Sequence, residues 1–320
     1  MSLKSVVIGC GSYLPKKVVT NSDLEKTLDT SNEWIIERTG IKQRHIVGDN
    51  ESTSDMAAAA AQEAIKNSGI KAEEIDLIIV ATTTPDNIFP STAARVQSII
   101  NAKNAAAFDI QAVCSGFVFA LSTVDKYIKS GEYKNVLVIG AESITRIVDW
   151  QDRNTCILFG DGAGAILLKA QENSDRGILA TNIFSDGTLR DILYVDGGPG
   201  SVKNSGTIKM QGKEVFKHAV SKLSECTELA LAKTGIKSEN VDWVIPHQAN
   251  IRIMEGVIKR LGIPPEKLIS TVAHHANTSA ASIPLAICSA VQAGKLKKND
   301  VIAIQAIGGG LTWGACIVKW

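Results

Sequence analysis

The sequence has 320 residues, of which 45% are hydrophobic and 21% charged, enough chain for two core-bearing layers or subdomains of a soluble globular protein. A formal net charge of +1 excludes wholesale attraction to nucleic acid or acidic membranes and leaves only a local basic patch for an acidic partner. No run approaches the roughly 18 uninterrupted apolar residues of a membrane span. Six scattered cysteines with no C-x-x-C pair, behind an N-terminus without leader pattern, point to a reducing cytoplasmic setting without structural zinc.

In chain order, Ser5-Val6-Val7-Ile8-Gly9-Cys10-Gly11 reads as a strand followed by a G-x-G turn. The dinucleotide fingerprint is incomplete, because Leu14 stands in place of the third glycine and Pro15-Lys16-Lys17 in place of a helix. Thr30-Ser31-Asn32-Glu33 has the capping-box form and starts a helix that ends near Gly40. On it Trp34 and Arg38 stand four apart on one face. This is either an amphipathic surface helix with Trp34 in the core, or an indole and a guanidinium that sandwich an aromatic base and meet phosphate.

Residues 57 to 68 predict an alanine-rich helix, and residues 76–81 the strand after it. The same construction returns: Gly69-Ile70-Lys71-Ala72-Glu73-Glu74-Ile75-Asp76 matches Gly235-Ile236-Lys237-Ser238-Glu239-Asn240-Val241-Asp242, an internal repeat. It continues with Gly131 and Gly294, each closing a helix, and with Gly164-Ala165-Ile166-Leu167-Leu168-Lys169 against Gly314-Ala315-Cys316-Ile317-Val318-Lys319. Two homologous halves are expected, residues 1–172 and 173–320.

Seventeen residues before those two glycines stand Cys114 and Asn277. No charge occurs from Ile110 to Val124 or from Ala276 to Gly294, so each following helix is expected to be buried on nearly all sides. Such a pair implies two sheets sandwiching a central helical layer, with strands that alternate with helices and are mostly parallel. The strand Ala107-Phe108-Asp109-Ile110 runs into Cys114. A cysteine there is either a buried structural residue or a nucleophile whose thiolate the helix N-terminus favours.

In parallel sheets the strand C-termini share an edge where ligand sites gather. His247 follows the strand at residues 241–246, Asn277 follows one at 268–273, and Gly308-Gly309-Gly310 follows one at 301–305. Free backbone N–H groups at the glycines suit an oxyanion. Taken singly, each is also explained as a cap or a turn.

Val113-Cys114-Ser115-Gly116, Pro246-His247-Gln248-Ala249-Asn250, His275-Ala276-Asn277-Thr278-Ser279 and Gly308-Gly309-Gly310-Leu311-Thr312-Trp313-Gly314, in this order, resemble the signatures of the β-ketoacyl-[acyl-carrier-protein] synthase III family. Phe159-Gly160-Asp161-Gly162-Ala163-Gly164-Ala165 and Glu33-Trp34-Ile35-Ile36-Glu37-Arg38-Thr39-Gly40 fit it too. The resemblance implies an α/β protein of the thiolase-like, five-layered αβαβα fold, its N-terminal half carrying the nucleophilic cysteine and its C-terminal half the histidine and asparagine. It implies an acyltransferase that starts type II fatty-acid synthesis: a decarboxylating Claisen condensation of a short acyl-CoA, acetyl-CoA being the first expectation, with malonyl-acyl-carrier-protein. No metal or redox cofactor is implied.

By the same resemblance Cys114 holds the acyl group as a thioester. His247 and Asn277 donate hydrogen bonds to the malonyl thioester oxygen, as suits neutral groups facing an enolate, and the N–H groups of Cys114 and Gly309 form the oxyanion hole. Trp34 and Arg38 clamp the adenine of CoA, with Thr39 and Arg153 near the nucleotide and Asn250 near the pantetheine. Phe89 reaches into the acyl pocket of a second subunit, implying a homodimer, and Lys217, Arg252, Lys259 and Arg260 receive the acidic carrier protein. Asn154, where the family often has glycine, and Ile307, where it often has phenylalanine, are departures expected to touch the CoA contacts and the pocket shape. A polyketide-type or secondary-metabolite condensing enzyme that uses CoA substrates throughout shares the asparagine and remains the alternative. A non-catalytic binding relative would be expected to have lost one of the reacting groups.

Overall fold

The computed structural model of the chain describes residues 3–201 and 204–320. In chain order its strands are β1 (Leu3–Tyr13), β2 (Lys17–Thr20), β3 (Gln43–Ile46), β4 (Leu77–Ala81), β5 (Ala106–Ile110), β6 (Asn135–Glu142), β7 (Gly162–Glu172), β8 (Gly177–Ser185), β9 (Leu193–Val195), β10 (Ile208–Met210), β11 (Trp243–Pro246), β12 (Val301–Gly308) and β13 (Thr312–Lys319). The helices are α1 (Asn21–Leu24), α2 (Asn32–Thr39), α3 (Thr53–Ser68), α4 (Thr92–Ile99), α5 (Gly116–Ser130), α6 (Arg153–Cys156), α7 (Gly212–Thr234), α8 (Ile251–Leu261), α9 (Val272–His275) and α10 (Ser282–Gln292).

Two large sheets run in the orders β1-β7-β6-β4-β5 and β8-β13-β12-β11. Strand alternation gives each sheet two apolar faces. Leu77 and Ile79 of β4 and Ile302 and Ile304 of β12 point to the middle, where they pack with Phe117, Leu121 and Ile128 of α5 and Ile283 and Ile287 of α10. Ile78 and Val80 face the other way onto α3 and α4, and Val244, Ala303 and Ile317 face α7 and α8. The result is the αβαβα layering.

Pairing within the layers is mixed. β4 is parallel to β5 and β6, and β11 to β12, whereas β1, β7, β8 and β13 pair antiparallel. The expectation of mostly parallel sheets therefore holds only on the flank that carries the Cys114 and His247 junctions. Residues 309–311, which join β12 to β13, are too few for a crossover and force that pair to be antiparallel.

The sequence repeat is visible as repeated construction. α3 and α7 both end on a left-handed glycine, Gly69 and Gly235, and a single 3-10 turn then leads into β4 or β11. Asp76 Oδ2 accepts the Asn135 N–H, and Asp242 Oδ2 the Val301 N–H, so in each copy the aspartate ties one strand start to its neighbour.

Four local expectations are corrected. β1 continues through Gly9-Cys10-Gly11 without a turn, and the glycines instead admit α3: a Cβ on Gly11 would stand 2.2 Å from the Ala60 carbonyl oxygen. α2 is capped by Ser31, whose hydroxyl accepts from Trp34 N–H, and not by Thr30. α3 begins at Thr53, four residues before the alanine run, because Ser52 and Asp55 form a capping box. The strand expected at 268–273 shrinks to a bridge between Leu268 and Val244. Gln248 Oε1 takes the Thr271 N–H at 2.7 Å, which ends the ladder, and α9 follows.

The layers meet most closely where β6 passes under the 3-10 turn Ser279–Ala281. A Cβ on Gly140 would lie 2.2 Å from the Ala280 carbonyl oxygen, a backbone atom that has nowhere to go. Gly140→Ala is expected to cost about 2–4 kcal/mol in urea or thermal unfolding. Gly187→Ala, with nothing within 4 Å of the new Cβ, is expected to change stability by less than about 0.5 kcal/mol.

Candidate active site

Cys114 lies in a one-turn 3-10 segment, Val113–Ser115, between β5 and α5. Val113 has φ +49°, in the left-handed region where a β-branched residue is strained. The turn is held by Ser115 Oγ, 2.7 Å from the Ala112 carbonyl and 2.8 Å from Thr312 Oγ1 at the start of β13. As the second residue of its turn, Cys114 has an N–H without an acceptor inside the turn. Cys114, Gly309 and Gly310 line one cavity of about 1220 Å³, with Phe89 on the same lining.

The helix terminus does not make this cysteine a resting thiolate. Burial pushes the Cys114 thiol from its ordinary 9.0 up to about 12, with the Glu142 carboxylate adding to the rise and a hydrogen bond with Ser279 opposing it. Three pKa units correspond to about 4 kcal/mol, against about 1 kcal/mol or less from a helix dipole. Desolvation wins, and proton removal belongs to the reaction.

His247 follows β11, and its N–H donates to the Gln305 carbonyl at 2.8 Å. Its Nδ1 is 2.7 Å from Ser282 Oγ, which also accepts the Gln248 N–H at 3.3 Å. A hydroxyl has one proton. In the Nε2–H tautomer Ser282 accepts from Gln248 and gives that proton to Nδ1, which leaves the ring hydrogen on Nε2. Burial pushes His247 down to about 3, so the imidazole is neutral and has one ring N–H to donate. Asn277 is oriented in the same manner: its Oδ1 accepts the Ser279 N–H at 2.9 Å, leaving Nδ2 to donate. Ala276 and Ser279, flanking it, have φ +58° and +49°. Both His247 and Asn277 are buried, at 4% and 6% exposure.

Ser279, Ser282 and Glu142 escaped the sequence reading. Ser279 lines the cavity beside Cys114, and its Oγ donates to Glu142 Oε1 at 3.1 Å. Glu142 also accepts from Thr84 Oγ1 at 2.6 Å and the Thr83 N–H at 3.1 Å, and burial pushes it up to about 7. The available signals were a carboxylate closing the apolar run at residues 136–141 and two serines three apart where α10 begins. Asp161 of the Phe159–Ala165 motif is structural: it accepts the N–H groups of Val47 and Thr145, clamping two loops.

The residues expected at CoA form a second cluster, outside the cavity lining. Arg38 lies 4.9 Å and Arg153 5.4 Å from the Trp34 ring centre, so the indole carries a guanidinium from each of α2 and α6. Asn250 caps α8 through Oδ1 and donates from Nδ2 to the Arg38 carbonyl at 2.9 Å. Thr39 is buried, its hydroxyl donating to the Ile35 carbonyl and accepting the Ile41 N–H, so its observed part is to shape the end of α2. Asn154 bonds to Asp152 Oδ1 beside Arg153. Ile307 packs in the outer core with Val257 and Ile317 and does not border the cavity, which corrects the expected effect on its shape.

Phe89 is 82% exposed. On the adjacent α7 and α8, Arg252 lies 5.9 Å from the Phe216 ring and next in sequence to that ring is Lys217, 3.8 Å from Glu214. Arg260 pairs with Glu225 at 3.1 Å, and Lys259 is exposed in the last turn of α8.

Residues 108–187 match the family model for 3-oxoacyl-[acyl-carrier-protein] synthase III, and residues 231–320 the model for its C-terminal part. A β-ketoacyl-[acyl-carrier-protein] synthase III of Ehrlichia canis is 60% identical over 316 residues, covering 99% of each chain. One of Rhodospirillum centenum is 53% identical over 323 residues, covering 100% of each. The crystal structure of 3-oxoacyl-[acyl-carrier-protein] synthase III from Aquifex aeolicus superposes with a TM-score of 0.95 at 49% identity, over 99% of this chain and 100% of that one. The priming β-ketosynthase of the R1128 polyketide pathway superposes with a TM-score of 0.94 at 32% identity, over 99% and 96%.

The hydrogen-bond pattern around His247 is open to direct observation. Nitrogen-15 NMR of histidine-labelled protein is expected to show a neutral Nε2–H imidazole at pH 5, since burial holds His247 near 3. Ser282→Ala is expected to raise the Nδ1–H population. A native His247 titrating near its ordinary 6.5 would contradict both the tautomer and its cause.

Proposed function

The chain belongs to the β-ketoacyl-[acyl-carrier-protein] synthase III family, and on that premise we propose how its residues divide the reaction. It is a condensing acyltransferase that initiates fatty-acid synthesis from an acyl-CoA and malonyl-acyl-carrier-protein. Cys114 takes the acyl group first, forming a thioester and releasing CoA. The malonyl group then loses carbon dioxide, the enolate oxygen held by His247 Nε2–H and Asn277 Nδ2–H. The carbanion attacks the acyl-cysteine, and the N–H groups of Cys114 and Gly309 stabilise the tetrahedral oxyanion of each step. The electron pair released with carbon dioxide stays on the substrate and forms the new C–C bond, so the reaction is redox-neutral overall and the reading calls for no redox group.

The observation that carries this assignment is a pair of buried, neutral donors each held from its other side, His247 Nδ1 by Ser282 Oγ and Asn277 Oδ1 by the Ser279 N–H. An imidazolium at 247 would overbind a transient enolate and a carboxylate at 277 would repel it; neutral donors gain most while the charge is present.

Arg38 and Arg153 on the Trp34 indole suit an adenine with its phosphates, one guanidinium giving way to the base. Asn250 and Thr39 then act by fixing the end of α2. Lys217, Arg252, Lys259 and Arg260 on the α7–α8 face serve as the carrier-protein patch, with Arg252 free of an acidic partner among the described residues. A phenylalanine as exposed as Phe89, at the cavity rim, calls for cover by a second copy of the chain and supports a homodimer. The division at residues 172 and 173, between β7 and β8, is proposed as the boundary of the duplicated halves. The six cysteines are free, which suits the cytoplasm; among the described residues no helix is long and apolar enough to cross a membrane.

Intact-mass measurement after exposure to a panel of acyl-CoAs, followed by malonyl-acyl-carrier-protein, tests the reading and names the primer. A single adduct is expected, absent in Cys114→Ser and discharged by the malonyl carrier. Asn277→Ala is expected to acylate but to condense about 100-fold more slowly. Trp34→Ala is expected to raise the KM for acyl-CoA about tenfold. Discharge by malonyl-CoA alone would favour the polyketide-type alternative, and no adduct from any acyl-CoA would sink the assignment.

A further inference from the structure

Forming the acyl-cysteine moves a proton from Cys114 to the departing CoA sulfur, and the group that carries it in between is not His247. Its Nδ1 is hydrogen-bonded with Ser282 Oγ, the enolate contact proposed above uses its Nε2–H, and burial leaves it a very weak base. The geometry points to a different route: we propose that Ser279 Oγ relays the Cys114 proton to the carboxylate of Glu142 during acylation, and returns it to the CoA thiolate.

The relay is built from four elements. Cys114 stands on the turn ahead of α5, and Ser279 on the turn ahead of α10; the two turns are in contact, and both residues face the cavity. On its other side the same hydroxyl donates to Glu142 Oε1 at 3.1 Å, at the end of β6. Thr82, Thr83 and Thr84, after β4, supply donors to the same carboxylate. The strained φ of +49° at Ser279 places its hydroxyl between the two groups while its N–H orients Asn277.

Of the residues facing Glu142, namely Thr82 to Thr84, Ser279, Ala280 and Cys114, only Cys114 titrates. Glu142 is fully buried with no cation among these neighbours, a costly state for a carboxylate used only as a structural acceptor. Burial raises it to about 7, which makes it the stronger base of the two candidates near the thiol.

The step balances. Sγ attacks the thioester carbonyl carbon as its proton passes to Ser279 Oγ and the hydroxyl proton of Ser279 passes to Glu142. The C–S bond to CoA breaks as the tetrahedral oxyanion collapses. Glu142 then gives its proton back through Ser279 to the CoA sulfur, and the carboxylate is restored. No oxidant or further reactant is involved.

This inference rests on acyl-CoA being the first substrate, and the test keeps the two claims apart. Rapid-quench intact-mass measurement with acetyl-CoA gives the acylation rate of the full chain from pH 5.5 to 9. The wild-type rate is expected to rise with pH through a midpoint near 7 and then level. Ser279→Ala, which keeps the N–H to Asn277, is expected to acylate about 100-fold more slowly and to lose that midpoint, its rate climbing instead toward the range of the thiol itself. Glu142→Gln is expected to do the same, with circular dichroism confirming its fold; Ser279→Ala decides the matter if it does not fold. Either folded variant keeping the wild-type rate and midpoint would overturn the relay alone, whereas a wild type that forms no adduct would overturn the substrate assignment.

Discussion

Two helical stretches without a charged residue, 116–124 of α5 and the whole of α10, can be covered only by placing a sheet on each side of them. That single burial requirement sets the five layers, and it sets the site as well. A helix end carries backbone groups that need partners, so the turns ahead of these buried helices become the places where polar chemistry collects inside an apolar core. Cys114 and Ser115 stand on one such turn, Asn277, Ser279 and Ser282 on the other. The glycine at position 140 allows the second turn to press against β6 and brings Glu142 within reach.

Burial also decides the protonation states. It raises the Cys114 thiol and the Glu142 carboxyl and lowers the His247 imidazole, so all three groups rest closer to neutrality than they would in water. A condensing enzyme gains from this, because its transition states carry transient negative charge on oxygen, and donors that are neutral and already aimed reorganise least when that charge develops. The aiming is done by side chains and amides one layer out: Ser282 for the histidine and the Ser279 N–H for the asparagine.

Outside the core, the surface carries the residues proposed to meet CoA, the carrier protein and a second subunit. The Trp34 indole with its two guanidinia, the α7–α8 basic face and the projecting Phe89 lie on separate elements. Asn250 ties the start of α8 to the end of α2.

Much of the architecture was legible in the residues. The uncharged stretches after Cys114 and before Gly294, the repeated Gly-Ile-Lys turn and the paired terminal strands imply a duplicated, layered α/β protein because apolar periodicity and turn chemistry are local properties. Cys114, His247, Asn277 and the glycine triplet stood out for the same reason, each closing a recognisable strand. Antiparallel flanks, the shrunken strand at 268–273 and the straight β1 through Gly9 and Gly11 did not, since they follow from how distant segments abut. Ser279, Ser282 and Glu142 are ordinary residues in sequence; it takes the approach of β6, β11 and the turn before α10 to turn them into partners of the thiol and the imidazole. Nor did the helix-start position of Cys114 reveal its protonation, because the dipole is written in local sequence and desolvation is not: it depends on every layer that closes over the sulfur.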